Sequence, residues 1–130
     1  IQNQINKIKS DLIKKEISNK IFIIKNLDSD NYLTLIQGCQ ILIGNSSSGI
    51  REASFLGVKS LNIGNRQQYR FKSSNVTDSK ISSNEIYEKL QQLYLQKKPN
   101  SSSAYGDGNS AKKIISLIQK INFSIKPTKI

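Results

Sequence analysis

Apolar positions along the chain change their period several times, and each change marks an element. Over residues 1 to 16, Ile1, Ile5, Ile8 and Leu12 share one face of a 3.6-residue repeat with lysines elsewhere, which predicts an amphipathic helix. KIFIIK at 20 to 25 is a short Ile-rich run, the pattern of a strand buried on both faces of a parallel sheet. In LDSDNYLTLIQGC, Asp28, Ser29 and Asp30 offer N-caps to a helix ending near Gly38. QILIG at 40 to 44 predicts a second strand, SGIREASFLG at 48 to 57 a helix closed by Gly57, and KSLNIG at 59 to 64 a third strand. Beyond a polar loop, SNVTDS predicts a short strand, and residues 83 to 97 a helix with Ile86, Leu90 and Leu93 inward, ended by Pro99 and the serines after it. A last helix follows YGDGN, with Ile114, Ile118 and Ile121 on one side. Strands alternating with helices imply βα units and an α/β fold with a doubly wound parallel sheet.

Composition narrows this picture. The 130 residues suit one compact domain, taken here as a single unit over 1–130. The hydrophobic fraction of 36% is low, but Ser, Asn and Lys make up the deficit rather than Pro or Gly, so the chain is expected to fold. Cys39, the one cysteine, reads as a small buried hydrophobe; a disulfide framework is excluded and a reducing cytoplasmic setting fits. No apolar stretch nears the roughly 20 residues that span a bilayer, and no charged-then-apolar leader opens the chain, so neither membrane nor secretion is expected. The net charge of +11 raises nucleic acid as a partner, but only Arg51, Arg66 and Arg70 are arginines, and the lysines are scattered from Lys7 to Lys129 without an aromatic stacking platform. The charge therefore argues little for a nucleic-acid face.

The informative stretch is IGNSSSGIREASFLGVKSLNIGNRQ, from Ile43 to Gln67. In parallel sheets ligands sit beyond the carboxyl ends of the strands, where loops open and the next helix presents its N-terminus. Asn45 to Ser48 form such a loop, and a helix from Ser48 would offer unpaired N–H groups and a partial positive charge to an anion, with serine hydroxyls as further donors. Gly49 would permit close backbone approach. Two readings stand here: an ordinary serine N-cap, or a hand for a phosphate. Glu52, one turn on, either accepts bonds from the vicinal hydroxyls of a ribose or closes a capping box with Ser48 or Gly49. Arg66 follows the third strand to the same sheet edge, where a guanidinium can hold a phosphate in two bonds or stand solvated. YGDGN at 105 to 109 reads first as a tight turn, with Asn109 or Ser110 capping the last helix.

GNSSSGIREASFLGVKSLNIGNRQ resembles the signature of the UDP-N-acetylglucosamine 2-epimerases, and SSAYGDGNSAKKIISLIQKI resembles the segment that closes chains of that family. The similarity runs through nearly the whole sequence in order and is nearest to the hydrolysing branch, which makes N-acetylmannosamine for sialic-acid synthesis. It implies a Rossmann-like three-layer parallel sheet, the C-terminal, nucleotide-holding half of a two-domain fold like that of B-type glycosyltransferases. By the same resemblance Ser46 and Ser47 match diphosphate-binding serines, Glu52 a ribose-binding glutamate, Arg66 a phosphate-binding arginine, and Leu27 the position that packs on the uracil; Asn45 and Gly49 support the loop. The implied ligand is UDP or UDP-N-acetylglucosamine, with no cofactor and no metal. The implied partners are the N-terminal half of the same enzyme and, in the parent, further copies of itself. Two positions depart from the family pattern: Lys59 stands where proline is usual, and Tyr69 puts a bulky side chain close to the phosphate loop, where it could narrow the cleft.

The resemblance also says what to expect of the chemistry. The family reaction runs by anti elimination of UDP across C1 and C2 of the sugar, followed by addition, and needs a base at C2 and an acid near the leaving oxygen. The chain has no histidine, and the family's catalytic carboxylates lie upstream of these motifs, so no catalytic residue is assigned and residues 1–130 alone are expected to be inactive. Their contribution would be stabilisation of the leaving diphosphate. Two alternatives remain on sequence grounds: a UDP-sugar glycosyltransferase of the same architecture, and a non-enzymatic basic module that binds RNA.

Overall fold

The computed structural model describes residues 21–121; the helix expected over 1 to 16 and Lys20 lie outside them. The chain forms two compact units, the first ending at Tyr32 and the second beginning at Leu33. In the first, residues 21–28 carry no strand. This corrects the strand expected at 20 to 25: Phe22 and Ile24 are exposed, and an apolar run makes a strand only where a ladder and a covering layer receive it. Helix α1, Ser29–Gly38, begins where Asp28 takes the Asn31 N–H on its carboxylate at 2.9 Å, as the sequence predicts.

The second unit holds a three-stranded parallel sheet, β1 (Ile41–Gly44), β2 (Lys59–Ile63) and β3 (Val76–Ser79), in the order β1-β2-β3. Gly44 lies opposite Asn62 and Ile63 opposite Ser79, so the carboxyl ends of all three strands open on one edge. Helix α2 (Glu52–Phe55) lies in the β1–β2 crossover, a long turn joins β2 to β3, and α3 (Ser83–Leu95) and α4 (Ser110–Ile118) follow. The expected helix over 48 to 57 is thus corrected. A 3₁₀ turn at Ser47–Gly49 and the four-residue α2 replace it, with Gly57 at φ 64° closing the segment as anticipated.

The core is small: Ile36, Ile50, Ala53, Val58, Leu61 and Leu93 are buried. Leu93 anchors α3, while Ile86 and Leu90 are only half-buried, and Cys39 is half-buried rather than fully enclosed. The central strand β2 is buried although it reads Lys-Ser-Leu-Asn, against the apolar habit of such strands. Each polar residue has a specific neighbour. Lys59, 3% exposed, donates from its ammonium to the carbonyls of Leu93 and Gln96, the latter at 2.7 Å, and so caps the negative end of α3. Asn62 donates to Asp78 at 2.7 Å, and the Ser60 hydroxyl fills the space beside Gly49. Lys59 in place of proline is therefore a built feature of this chain, since its stem crosses the core to reach a helix end.

Candidate functional site

The segment after β1 enters at Asn45 and turns at once. Ser46 caps the 3₁₀ turn: its Oγ accepts the Ser48 N–H at 3.3 Å and its carbonyl accepts the Gly49 N–H at 3.3 Å. The Ile50 and Arg51 N–H groups both go to the Ser47 carbonyl, at 3.0 and 2.9 Å. The amides from Ser48 to Arg51 are therefore consumed inside the turn. This corrects the expected row of unpaired helix N–H groups, and a four-residue helix carries only a weak dipole. The serine side chains add hydroxyl groups to the turn, with Ser46 exposed and Ser47 and Ser48 half-buried.

Gly49 serves packing against β2. It is buried, and a Cβ there would stand 2.4 Å from Ser60 Oγ, so the turn lies against β2 at a distance only glycine allows. Glu52 makes no capping box: among the described residues its carboxylate has no hydrogen-bond partner, and Oε2 is buried without one. It lines a cleft of about 420 Å³ with Leu33, Phe55, Ser102, Tyr105 and Gly106. The YGDGN loop thus forms one wall of the cleft that holds Glu52.

Arg66 lies in the turn following β2, exposed and without an ion pair among the described residues. Its neighbour Gln67 is buried and donates from Nε2 to the Asn45 carbonyl at 2.8 Å, tying the arginine's turn to the serine turn. Asn75, also buried, donates to the carbonyls of Gly49 at 3.3 Å and Val58 at 3.0 Å. Ser46, Ser47, Asn45 and Arg66 therefore belong to connected turns at one sheet edge, and Glu52 opens into the neighbouring cleft. Leu27 lies in the first unit, half-buried. Tyr69 is 96% exposed and lines neither the Glu52 cleft nor a second, charged one, so it does not narrow them.

That second cleft, about 580 Å³, lies at the ends of β2 and β3 between Lys72, Asp78, Lys80, Glu85 and Lys89. Burial pushes the Asp78 carboxyl up, but hydrogen bonds from Lys72 at 2.8 Å and from Asn62 outweigh it and hold the pKa below the ordinary value. Glu85 is lowered by its bond to Lys89 at 2.6 Å. Asp107 in the YGDGN loop is lowered to about 2 by Lys113 at 2.9 Å and by the Asn109 N–H. Asn109 holds the N-cap position of α4 as expected, but its side chain makes no capping bond; the Asn109 N–H instead donates to the Asp107 carboxylate at 3.0 Å. The sequence gives no signal for the roles of Gln67 and Asn75, since a buried amide in a polar loop has no periodic signature; the only hint for Gln67 is its place beside Arg66.

A parallel sheet crossed over by short helical segments, with polar turns gathered at its carboxyl edge, defines a Rossmann-like α/β unit. The family model described as UDP-N-acetylglucosamine 2-epimerase matches residues 2–119, and the chain belongs to that family. Among curated relatives it is 32% identical over 99 residues to a UDP-N,N'-diacetylbacillosamine 2-epimerase (hydrolyzing) of Legionella pneumophila, covering 76% of this chain and 26% of that one. It is 40% identical over 88 residues to a GDP/UDP-N,N'-diacetylbacillosamine 2-epimerase (hydrolyzing) of Campylobacter jejuni, covering 67% and 23%. A UDP-N-acetylglucosamine 2-epimerase of Neisseria meningitidis serogroup B shares 27% over 103 residues, 79% of this chain and 27% of that one. The chain spans about a quarter of the length of these relatives. Among the described residues, no helix is long and apolar enough to cross a membrane.

Proposed function

We propose that this chain is the UDP-holding part of a hydrolysing UDP-N-acetylglucosamine 2-epimerase that supplies N-acetylmannosamine-type sugars for sialic-acid or surface-polysaccharide synthesis. The observation that carries the reading is the bond from Gln67 to the Asn45 carbonyl, which joins the turn of Arg66 to the turn of Ser46 and Ser47 at the carboxyl edge of the sheet. A diphosphate there meets two hydroxyls and a guanidinium with no ion pair among the described residues, while Glu52, which lines the neighbouring cleft, accepts from ribose hydroxyls. The family resemblance assigns Leu27 to the uracil. As the bond between sugar and diphosphate breaks, negative charge grows on the leaving group, and donors already oriented toward it lower the barrier.

The acid and base come from the upstream half of the enzyme, and the chain alone binds UDP without turning over UDP-N-acetylglucosamine. The exposed apolar side of α4, with Ile114 and Ile118, together with Ile121 just beyond it, is where that half packs. The enzyme works in the cytoplasm as an oligomer. Family membership favours this reading over a glycosyltransferase or a basic RNA-binding module.

Calorimetry of the chain with UDP is the direct test. Arg66→Ala and Ser46→Ala should each abolish measurable UDP binding while leaving the fold intact. A uniform small loss for Arg66→Ala, together with RNA affinity that collapses with salt, would instead favour the RNA module. Epimerase turnover by the isolated chain would refute the division of labour.

A further inference from the structure

The serine turn is held at both ends by buried side-chain amides that come from a single segment. Gln67 donates to the carbonyl of Asn45, the residue before the three serines, at 2.8 Å. Asn75 donates to the carbonyl of Gly49, the residue after them, and also to Val58. Both side chains are at most 3% exposed, and both leave their own oxygens, Gln67 Oε1 and Asn75 Oδ1, buried without a partner.

That last detail fixes the orientation of each amide. The groups facing the side chains are carbonyl oxygens, so rotating either amide would set oxygen against oxygen; the NH₂ must face the turn. An unsatisfied buried acceptor is costly, and an apolar side chain of similar volume would avoid the cost. What only an amide supplies at these positions is the bond to the turn. Gly49 is further pinned by the close approach of Ser60. The three serines between Asn45 and Gly49 are thus bracketed by two fixed carbonyls.

We infer that Gln67 and Asn75 are positioning residues that hold the turn from Asn45 to Gly49 in the shape that receives the diphosphate, with Gln67 also setting the backbone of Arg66 beside it. The inference rests on the UDP-holding reading for its ligand, but the clamp itself does not. Because one segment carries both amides and Arg66, a disturbance of the turn after β2 propagates to the serine hydroxyls without touching them.

The test uses the full 130-residue chain with Gln67→Met, Gln67→Glu and Asn75→Asp, following amide exchange of Ser48 and Gly49 without ligand and UDP affinity by calorimetry. Gln67→Met should speed exchange at the turn and weaken UDP on the order of tenfold, the scale expected when binding groups lose a supporting partner. Gln67→Glu should do the same near neutral pH. Its deficit relative to the unaltered chain should shrink as pH falls toward the ordinary carboxyl range of about 4.3, because a protonated carboxyl regains an O–H donor for the Asn45 carbonyl. A role in stability alone would lower the melting temperature without that pH-dependent recovery of affinity. Should Gln67→Met fail to fold, the near-isosteric Gln67→Glu and Asn75→Asp carry the measurement. Unchanged exchange at Ser48 and Gly49 in the folded variants overturns the clamp, as does unchanged UDP affinity where the unaltered chain binds UDP. Failure of the unaltered chain to bind UDP would sink the ligand reading instead, and the exchange data would still decide the clamp.

Discussion

Strand β2 and helix α4 invert one another. The strand hides Lys59, Ser60 and Asn62 at the centre of the sheet, whereas the helix, apolar along one side, leaves Ile114, Ile115, Leu117 and Ile118 about half exposed or more. The difference teaches that burial here follows partners rather than hydrophobicity. A polar side chain survives in the core when another element brings it a hydrogen-bonding group, and an apolar one stays bare when no element arrives to cover it. Lys59 has the end of α3; Asn62 has Asp78.

The sharpest way to break the contrast is to truncate one apolar residue in each region. Leu61→Ala removes a fully buried side chain from the centre of β2 and should cost about 2–5 kcal/mol in denaturant unfolding. Ile114→Ala, at a position 55% exposed, should change the stability of the same chain by less than about 0.5 kcal/mol. Equal losses would mean that α4 is packed after all. Next in size is Lys59→Met, which keeps the stem and removes the ammonium. It strips the Gln96 carbonyl of the lysine donor, leaves the Leu93 carbonyl only the Gln96 N–H, and should destabilise by about 1–3 kcal/mol, with exchange rising first at the last turn of α3. A neutral result would show that water replaces the lysine there.

The smallest expected effect concerns the start of α4. The folded pKa of Asp107 is depressed from 3.8 to about 2 by Lys113 and the Asn109 N–H. A depressed carboxyl contributes stability that is present above the unfolded value and is lost as pH falls through the folded one. The loop's hold on α4 should therefore be complete near neutrality and disappear between roughly pH 4 and pH 2. Titration of the Asp107 carboxyl by NMR checks this, and Lys113→Ala should return its pKa toward the ordinary range. The group is exposed, so global stability should barely register the change.

Much of this arrangement was legible in the sequence because it is local. The Asp28 cap, the strands at QILIG and KSLNIG, and the left-handed Gly57 depend on neighbouring residues, and all are found where the pattern predicts them. The helix expected over 48 to 57 is broken because Gly49 is drawn against Ser60, a contact that sequence spacing does not reveal. KIFIIK misled for the complementary reason: its apolar run has the composition of a strand, but a strand also needs a ladder. Within the candidate site, the serines and Arg66 stood out as a motif, whereas Gln67 and Asn75 sat unremarked in a polar loop.

What the sequence determined by itself, then, is the succession of elements and the family signature, since caps, turns and hydrophobic period act over a few residues. What only the tertiary structure decided is which polar groups meet: Lys59 with the end of α3, Glu52 with the YGDGN loop across a cleft, and Gln67 and Asn75 with the two ends of the serine turn. The hydrogen bonds among these pairings join residues up to 37 positions apart, and hydrogen bonds are satisfied by neighbours in space, whatever their distance along the chain.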